Sequence, residues 1–255
     1  MRNLLLTIAY DGSAYHGFQV QKNAVTVQEV FQAAAGKVLG KPVGLKGCSR
    51  TDTGVHARRF CLSLQTERAI PCPRLVDALN HFLPKDIAVL SCREVPEDFH
   101  ARYSCRGKEY EYCIWNARVR SPFLRARAYH YYYPLDLDLM NEAAACFLGS
   151  HDFSAFCTAD SRERENMIRT ITVSRWRREG DMVLYTVAGD GFLYNMVRIL
   201  VGTMLYVSQG KLQPQEIPRI LLSGDRSLAG PTAPGEGLYL NRVFYEGLGP
   251  EFEGP

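Results

Sequence analysis

The sequence runs Gly47-Cys48-Ser49-Arg50-Thr51-Asp52-Thr53-Gly54-Val55-His56-Ala57 between two strand-like stretches, crowding one carboxylate among an arginine, two threonine hydroxyls, a glycine and an imidazole. So polar a run is costly to order unless its groups satisfy one another or a ligand. As an ionised carboxylate, Asp52 can be a nucleophile, a base or the stabiliser of a developing cation. The loop holds no second carboxylate, so the paired acid and base of ordinary glycoside hydrolysis is not evident and a lone nucleophile fits better. Residue type alone favours a plainer reading, an aspartate that caps a turn and pairs with Arg50. His56 could be a general base, yet a lone loop histidine is more often held by backbone, and that structural role is the expectation. Gly54 supplies a backbone conformation that other residues resist, letting the loop turn around Asp52.

Two distant segments offer partners. In Lys108 to Trp115, strand alternation puts Tyr110, Tyr112 and Ile114 on one face and Glu109, Glu111 and Cys113 on the other. Such an aromatic pair is usually core packing, but it is also the platform on which sheet-based RNA binders stack an unpaired base. In Gly191 to Gly202, Arg198 lies in an otherwise apolar helix. A buried arginine is costly without an anion, and Asp52 could accept two parallel hydrogen bonds from it.

Elements must bring these residues to their places. A strand over Asn3 to Tyr10 closes at Asp11-Gly12, and a helix follows. Thr26 and Glu29 form its capping box, Val25 and Val30 its staple, and Val27, Val30, Phe31, Ala34 and Val38 its apolar stripe, with Gly40 and Pro42 ending it. A strand over Val43 to Cys48 delivers the Asp52 loop, and a strand with Phe60, Leu62 and Leu64 on one face leaves it. A helix carrying Pro73 in its first turn and Leu75, Val76, Leu79 and Phe82 on one face leads to a strand over Ile87 to Val95. This order predicts the split βαβ arrangement of ferredoxin-like domains, with helices on one face of an antiparallel sheet and the other face open to a ligand. The second half reads similarly: strand Lys108 to Trp115, helix Leu139 to Leu148, strands Ile168 to Trp176 and Met182 to Ala188, helices Leu193 to Val207 and Pro214 to Leu222, and strand Leu238 to Tyr245. No sequence repeat joins the halves, so duplication rests on element order alone. The expected division is 1–105 with the aspartate loop, 106–246 with the tyrosine strand and arginine helix, and a loose tail at 247–255.

Composition bounds the possibilities. The 255 residues are 46% hydrophobic and 22% charged, which permits a sizeable core and excludes disorder. The net charge is only +3, but Arg162, Arg164, Arg169, Arg175, Arg177 and Arg178 cluster, which suits contact with a polyanion as well as a solvated face. Eight cysteines without a C-x-x-C pair give no metal pattern, and their apolar neighbours fit free thiols in a reducing compartment. Met1 to Tyr10 does not read as a signal peptide, and no apolar run approaches the roughly 20 residues of a membrane span. The expectation is a soluble cytoplasmic protein with neither metal nor membrane.

Six segments in order, Ile8 to Gly12 with Gly17-Phe18-Gln19, Arg50 to His56, Asp98-Phe99-His100-Ala101-Arg102, Lys108 to Tyr112, Phe192 to Arg198, and Thr232-Ala233-Pro234 with Gly237-Leu238, resemble the tRNA pseudouridine synthase A (TruA) family. The resemblance spans nearly the whole chain. It departs at Ser49, Thr53 and Phe18, where the family more often has glycine, alanine and tryptophan, and these changes bear on substrate choice rather than on the reaction. It implies an α+β fold of two ferredoxin-like, RNP-like halves sharing an extended, mostly antiparallel sheet around a central cleft. It further implies a cofactor-free isomerisation in which the C1′–N1 bond of uridine breaks, the uracil rotates and a C1′–C5 bond forms. Asp52 would supply the carboxylate, attacking or deprotonating the ribose or adding to the base, and Arg198 would hold it aimed. Tyr110 would stack on the flipped base, with Arg50, His56 and Leu238 among the substrate-binding positions. The implied partner is tRNA, at uridines 38, 39 and 40 of the anticodon stem-loop, and the implied assembly a homodimer. The same chemistry on another RNA, or RNA binding without catalysis, stays open at this point.

Overall fold

The computed structural model describes residues 1–158 and 166–254. Arg162 and Arg164 of the arginine cluster lie outside the described residues. The chain forms two compact units, Met1–Arg106 with Tyr239–Gly254, and Gly107–Leu238.

In the first unit, β1 (Arg2–Tyr10) is followed by α1 (Val27–Leu39), β2 (Leu45–Gly47), β3 (His56–Thr66), α2 (Cys72–Phe82) and β4 (Ile87–Val95). β1 pairs antiparallel with both β3 and β4, and β2 pairs antiparallel with β3, giving the order β4-β1-β3-β2 that a split βαβ unit requires. α1 starts where the Thr26 hydroxyl accepts from Glu29 N at 3.4 Å and stops at Gly40, whose φ of 73° only glycine adopts cheaply. Its buried face is Val27, Phe31, Ala34, Ala35 and Leu39, so the stripe is rotated toward Ala35 and Leu39 while Val30 and Val38 are half-buried. Val25 is exposed, and the staple expected of it contributes little. α2 buries Leu75 and Leu79, a narrower face than expected, because Phe82 turns outward beneath the Lys37 ammonium.

The second sheet face is not left open at this point. Leu4, Leu6 and Ile8 pair with Leu64, Leu62 and Phe60 on one face, while Leu5 and Thr7 pair with Ser63 and Cys61 on the other, and all of these are buried. The segment after β4 covers that other side. Asn3 Nδ2 donates to Pro96 O at 2.9 Å and Phe99 O at 2.8 Å, and Ala101 N donates to Ser63 Oγ at 3.2 Å. Alternation of Phe60, Leu62 and Leu64 thus gives way to a strand buried on both sides, as expected of a central strand covered on two faces.

The second unit contains β5 (Gly107–Trp115), β6 (Tyr129–His130), α3 (Leu137–Ala145), β7 (Gly149–Asp152), β8 (Ile168–Glu179), β9 (Met182–Gly189), α4 (Met196–Ser208) and α5 (Ile217–Ser223). Its strands lie in the order β5-β9-β8-β7, all antiparallel, with β6 parallel to β5. α3 meets β8 through Asn141, whose side chain bonds both backbone groups of Trp176, and the Trp176 ring stacks on Tyr185 at 4.9 Å. α4 buries ten of its thirteen residues, which is why its sequence is apolar all round.

β10 (Leu238–Phe244) brings the chain back to the first unit, whereas the sequence division kept residues up to 246 with the second half. Tyr239 and Leu240 pair parallel with His56 and Ala57, so β10 and β2 share one edge of β3, one at each end. The residues after it, expected as a loose tail, form a turn over Pro250–Phe252. Phe252 is buried under the Arg93 guanidinium, and Arg93 pairs with Glu251. No helix among the described residues is long and apolar enough to cross a membrane.

Candidate active site

The Asp52 loop is built by backbone. Phe18 N donates to Thr51 O at 3.3 Å, Val55 N to Asp52 O at 3.2 Å and Gly54 N to Tyr15 O at 3.3 Å, while the Tyr10 and Thr51 hydroxyls meet at 3.0 Å. Two glycines let neighbouring chain approach this closely. A Cβ on Gly12 would stand 2.0 Å from Val55 O, and one on Gly17, at φ 83°, 2.2 Å from Thr51 O. Phe18 then stacks on Phe60 at 4.2 Å, pressing the first turn against β3. Thr51 and Val55 are buried on either side of a half-buried Asp52. A carboxylate on so fixed a backbone loses little further entropy when it meets a reacting atom.

His56, at the start of β3, closes the loop from behind. Its Nδ1 lies 3.0 Å from Gly12 N and 3.2 Å from Asp11 Oδ1. Nδ1 thus faces both a backbone amide and a carboxylate oxygen. Asp11 Oδ1 is itself engaged by Ser13 N at 3.0 Å and Ser13 Oγ at 2.6 Å. The imidazole is 2% exposed and stacks on Tyr239 at 4.6 Å, with Arg58 over the other ring at 4.5 Å. This is the structural role that residue type suggested for His56. Tyr239 and Arg58 escaped sequence reasoning because nothing local joins position 239 to position 56.

The second unit gathers its own set. Tyr110 on β5 is buried with its ring edge-on to Phe192 at 5.1 Å. Arg198, half-buried on α4, donates from Nε to Ala233 O and from Nη1 to Asn195 Oδ1, each at 2.7 Å, and Ala233 N donates back to Arg198 O. Asn195 is left-handed at φ 61°, a conformation asparagine tolerates better than most residues. The next residue, Pro234, accepts from the Tyr112 hydroxyl at 2.7 Å, and burial pushes that phenol's pKa well up. Gly237 passes so close that a Cβ would stand 2.7 Å from the Tyr112 ring, which sets buried Leu238 at the head of β10. Arg198 and Tyr112 therefore grip adjacent carbonyls of one segment.

Each sequence-predicted residue thus falls in one of two groups: Arg50, Asp52 and His56 in the first unit, Tyr110, Arg198 and Leu238 in the second. Three of the described arginines on β8 make bonds within their own unit. Arg177 donates to Glu111, Thr186 and Glu179, Arg178 to Asn116, and Arg169 to the carbonyls of Asn166 and Ile168. The charge of Arg177 is answered within the unit, by Glu179 and by Glu111 on the second face of β5 two strands away.

The pattern of the tRNA pseudouridine synthase family matches residues 6–104 and 143–246. Over 245 residues, 96% of this chain and all of the relative, the chain is 49% identical to tRNA pseudouridine synthase A of Acetivibrio thermocellus and 47% identical to that of Ruminiclostridium cellulolyticum. It is 46% identical over the same span to tRNA pseudouridine synthase A of a Thermoanaerobacter species.

Proposed function

The chain belongs to the tRNA pseudouridine synthase family, and from that premise we propose that Asp52 is the carboxylate with which it isomerises uridine to pseudouridine in the anticodon stem-loop of tRNA, at uridines 38, 39 and 40. One observation carries the assignment of Asp52. The residues that clamp its loop, Tyr10, Gly12, Gly17, Phe18 and His56, belong to the segments that carried the family resemblance. So much structure devoted to fixing one half-buried carboxylate suits a nucleophile better than a turn cap.

In this reading the target uridine leaves its helix, at a cost of a few kcal/mol, because its reacting atoms are otherwise hidden in the stack. The Asp52 carboxylate assists cleavage of C1′–N1, the uracil turns in place, C5 bonds to C1′ and loses its proton to solvent, and the freed N1 takes a proton up. Tyr110 supplies the face against which the base turns, and Leu238 an apolar wall. Arg198, already fixed by Ala233 and Asn195, is the residue assigned to aiming the carboxylate. Arg50 binds backbone phosphate beside the loop, and His56 acts as a positioning residue through Gly12 and Tyr239. The enzyme works as a homodimer.

The test is tritium release from C5-labelled uridine in an unmodified tRNA transcript. Asp52→Asn should release none while binding tRNA as the wild type does, and normal turnover by that variant would sink the assignment. Mapping pseudouridines by carbodiimide primer stops, with and without the gene, tests the sites. Losses confined to RNA outside the anticodon arm would reject this substrate. Sedimentation as a stable monomer at micromolar concentration would reject the dimer.

A further inference from the structure

The Asp52 loop also forms one wall of a cleft in the first unit that the chemistry above does not use. The cleft measures about 240 Å³, and around it stand Lys46 of β2, Ser49 and Arg50 of the loop, and His100, Arg102 and Tyr103 from the segment after β4. No aspartate or glutamate lines it. Three cations line the cleft without a carboxylate, a charge distribution that attracts an anion. Burial, with Lys46 and Arg102 adding to it, holds the His100 imidazole below its usual pKa.

The aromatic residue is equally out of place for a protein surface without a ligand. Tyr103 is 79% exposed, its ring 4.3 Å from that of His100. It does not sit on a slack loop. Ala101, two residues before it, is fully buried and held at both backbone groups, by Ser63 Oγ at 3.2 Å and by the Tyr245 hydroxyl at 2.6 Å. Ser104 N donates to His100 O at 2.9 Å, and Arg102 N donates to His100 Nδ1 at 3.1 Å. Arg102 and Tyr103 are thus presented from a closed turn, which lowers the entropy lost when they meet a ligand. Cations that track a backbone beside an aromatic face are the chemistry of single-stranded nucleic acid recognition.

We propose that this cleft holds one nucleotide of the RNA substrate, its phosphate among Lys46, Arg50 and Arg102 and its base against Tyr103. The proposal rests on the reading of the protein as a tRNA-modifying enzyme and adds a second anchoring point to it. Arg50 is two residues before Asp52, at most about 7 Å along the backbone, so a strand gripped here is fixed close to the uridine that reacts.

The test is filter binding of unmodified tRNA transcript over a range of salt concentrations, with Lys46→Gln, Arg102→Gln and their double variant, Tyr103→Leu, and Arg178→Gln as the comparison from β8. All are surface positions whose replacement leaves the unfolding transition in place. The double variant should bind at least about ten-fold more weakly and flatten the log–log salt dependence by roughly 1.4 to 1.8, the value for two lost phosphate contacts. Tyr103→Leu should weaken binding about ten-fold without changing that slope, since stacking carries no counterion. Affinities and slopes indistinguishable from those of Arg178→Gln would overturn the proposal. Photo-crosslinking of 4-thiouridine-substituted tRNA to the wild-type protein gives a readout free of substitutions. Crosslinks within residues 97–106 support the cleft, and crosslinks confined to other peptides overturn it. Tritium release by the wild type separates the two claims. Turnover with unaffected variant binding rejects the cleft alone, whereas absence of turnover on any tRNA rejects the function.

Discussion

The two groups of functional residues are held in opposite ways. Around Asp52 the bonds run between backbone groups, and the glycines at 12 and 17 make room for them. Around Arg198 the holding is done by side chains, with the guanidinium on Ala233 and Asn195 and the Tyr112 hydroxyl on Pro234. In the first case backbone bonds set much of the loop's path, and the Thr51 hydroxyl and His56 imidazole add to them. The departures at Ser49 and Thr53 sit in that frame as a hydroxyl that bonds the adjacent Arg50 carbonyl and an exposed side chain. In the second case the side chain assigned a part in the chemistry also maintains the structure, so altering it disturbs both.

The largest expected effect isolates chemistry from structure. Asp52→Asn should lower tritium release by on the order of 10⁴-fold or more, a loss far larger than any change in urea denaturation, since the change keeps the size of the side chain and the backbone bonds of the loop. Gly12→Ala comes next. Its new Cβ meets Val55 O at 2.0 Å, so the variant should lose about 3 kcal/mol of stability by urea denaturation, with activity falling as the loop shifts. Gly202→Ala is the matching change in the second unit, where a Cβ would lie 1.7 Å from Pro231 O, and a similar loss is expected. Arg198→Lys keeps the charge but cannot bond Ala233 and Asn195 together, and kcat/KM should drop roughly 10- to 100-fold, about 1.4 to 2.7 kcal/mol. The smallest effect belongs to Tyr10→Phe, which deletes one hydroxyl contact with Thr51 and should cost about 1 kcal/mol of stability with little change in rate. If Tyr10→Phe impaired turnover as severely as Arg198→Lys, the contrast between a backbone-held and a side-chain-held site would fail.

What could be read in advance followed the range of the interactions involved. The bounds of β4 and the caps of α1 at Thr26 and Gly40 were legible because a few neighbouring residues set them. The Asp52 loop was legible as a polar cluster, and its catalytic reading came from resemblance, since an aspartate in a threonine and glycine turn is ordinarily a cap. The stacking of Tyr239 on His56, the cover that residues 96–101 place over Ser63, and the pairing of Arg177 with Glu111 join positions far apart in sequence. Periodicity carries no signal for any of them. The same holds for the basic cleft, whose walls come from residues 46–50 and 100–103 and show only as scattered charges until the segment after β4 folds back.

The shared edge of β3 has a bearing on how the protein is made. β10 and the Phe252 turn complete the first unit, yet all of residues 107–238 must be synthesised before they exist. On the ribosome, the second unit can therefore assemble while the first still waits for its last strand. Until Tyr239 emerges, His56 has nothing to stack on, and the loop it supports lacks its rear wall. The loop that carries the aspartate is thus translated early, and its rear wall is closed only after everything between residues 56 and 239 has been made.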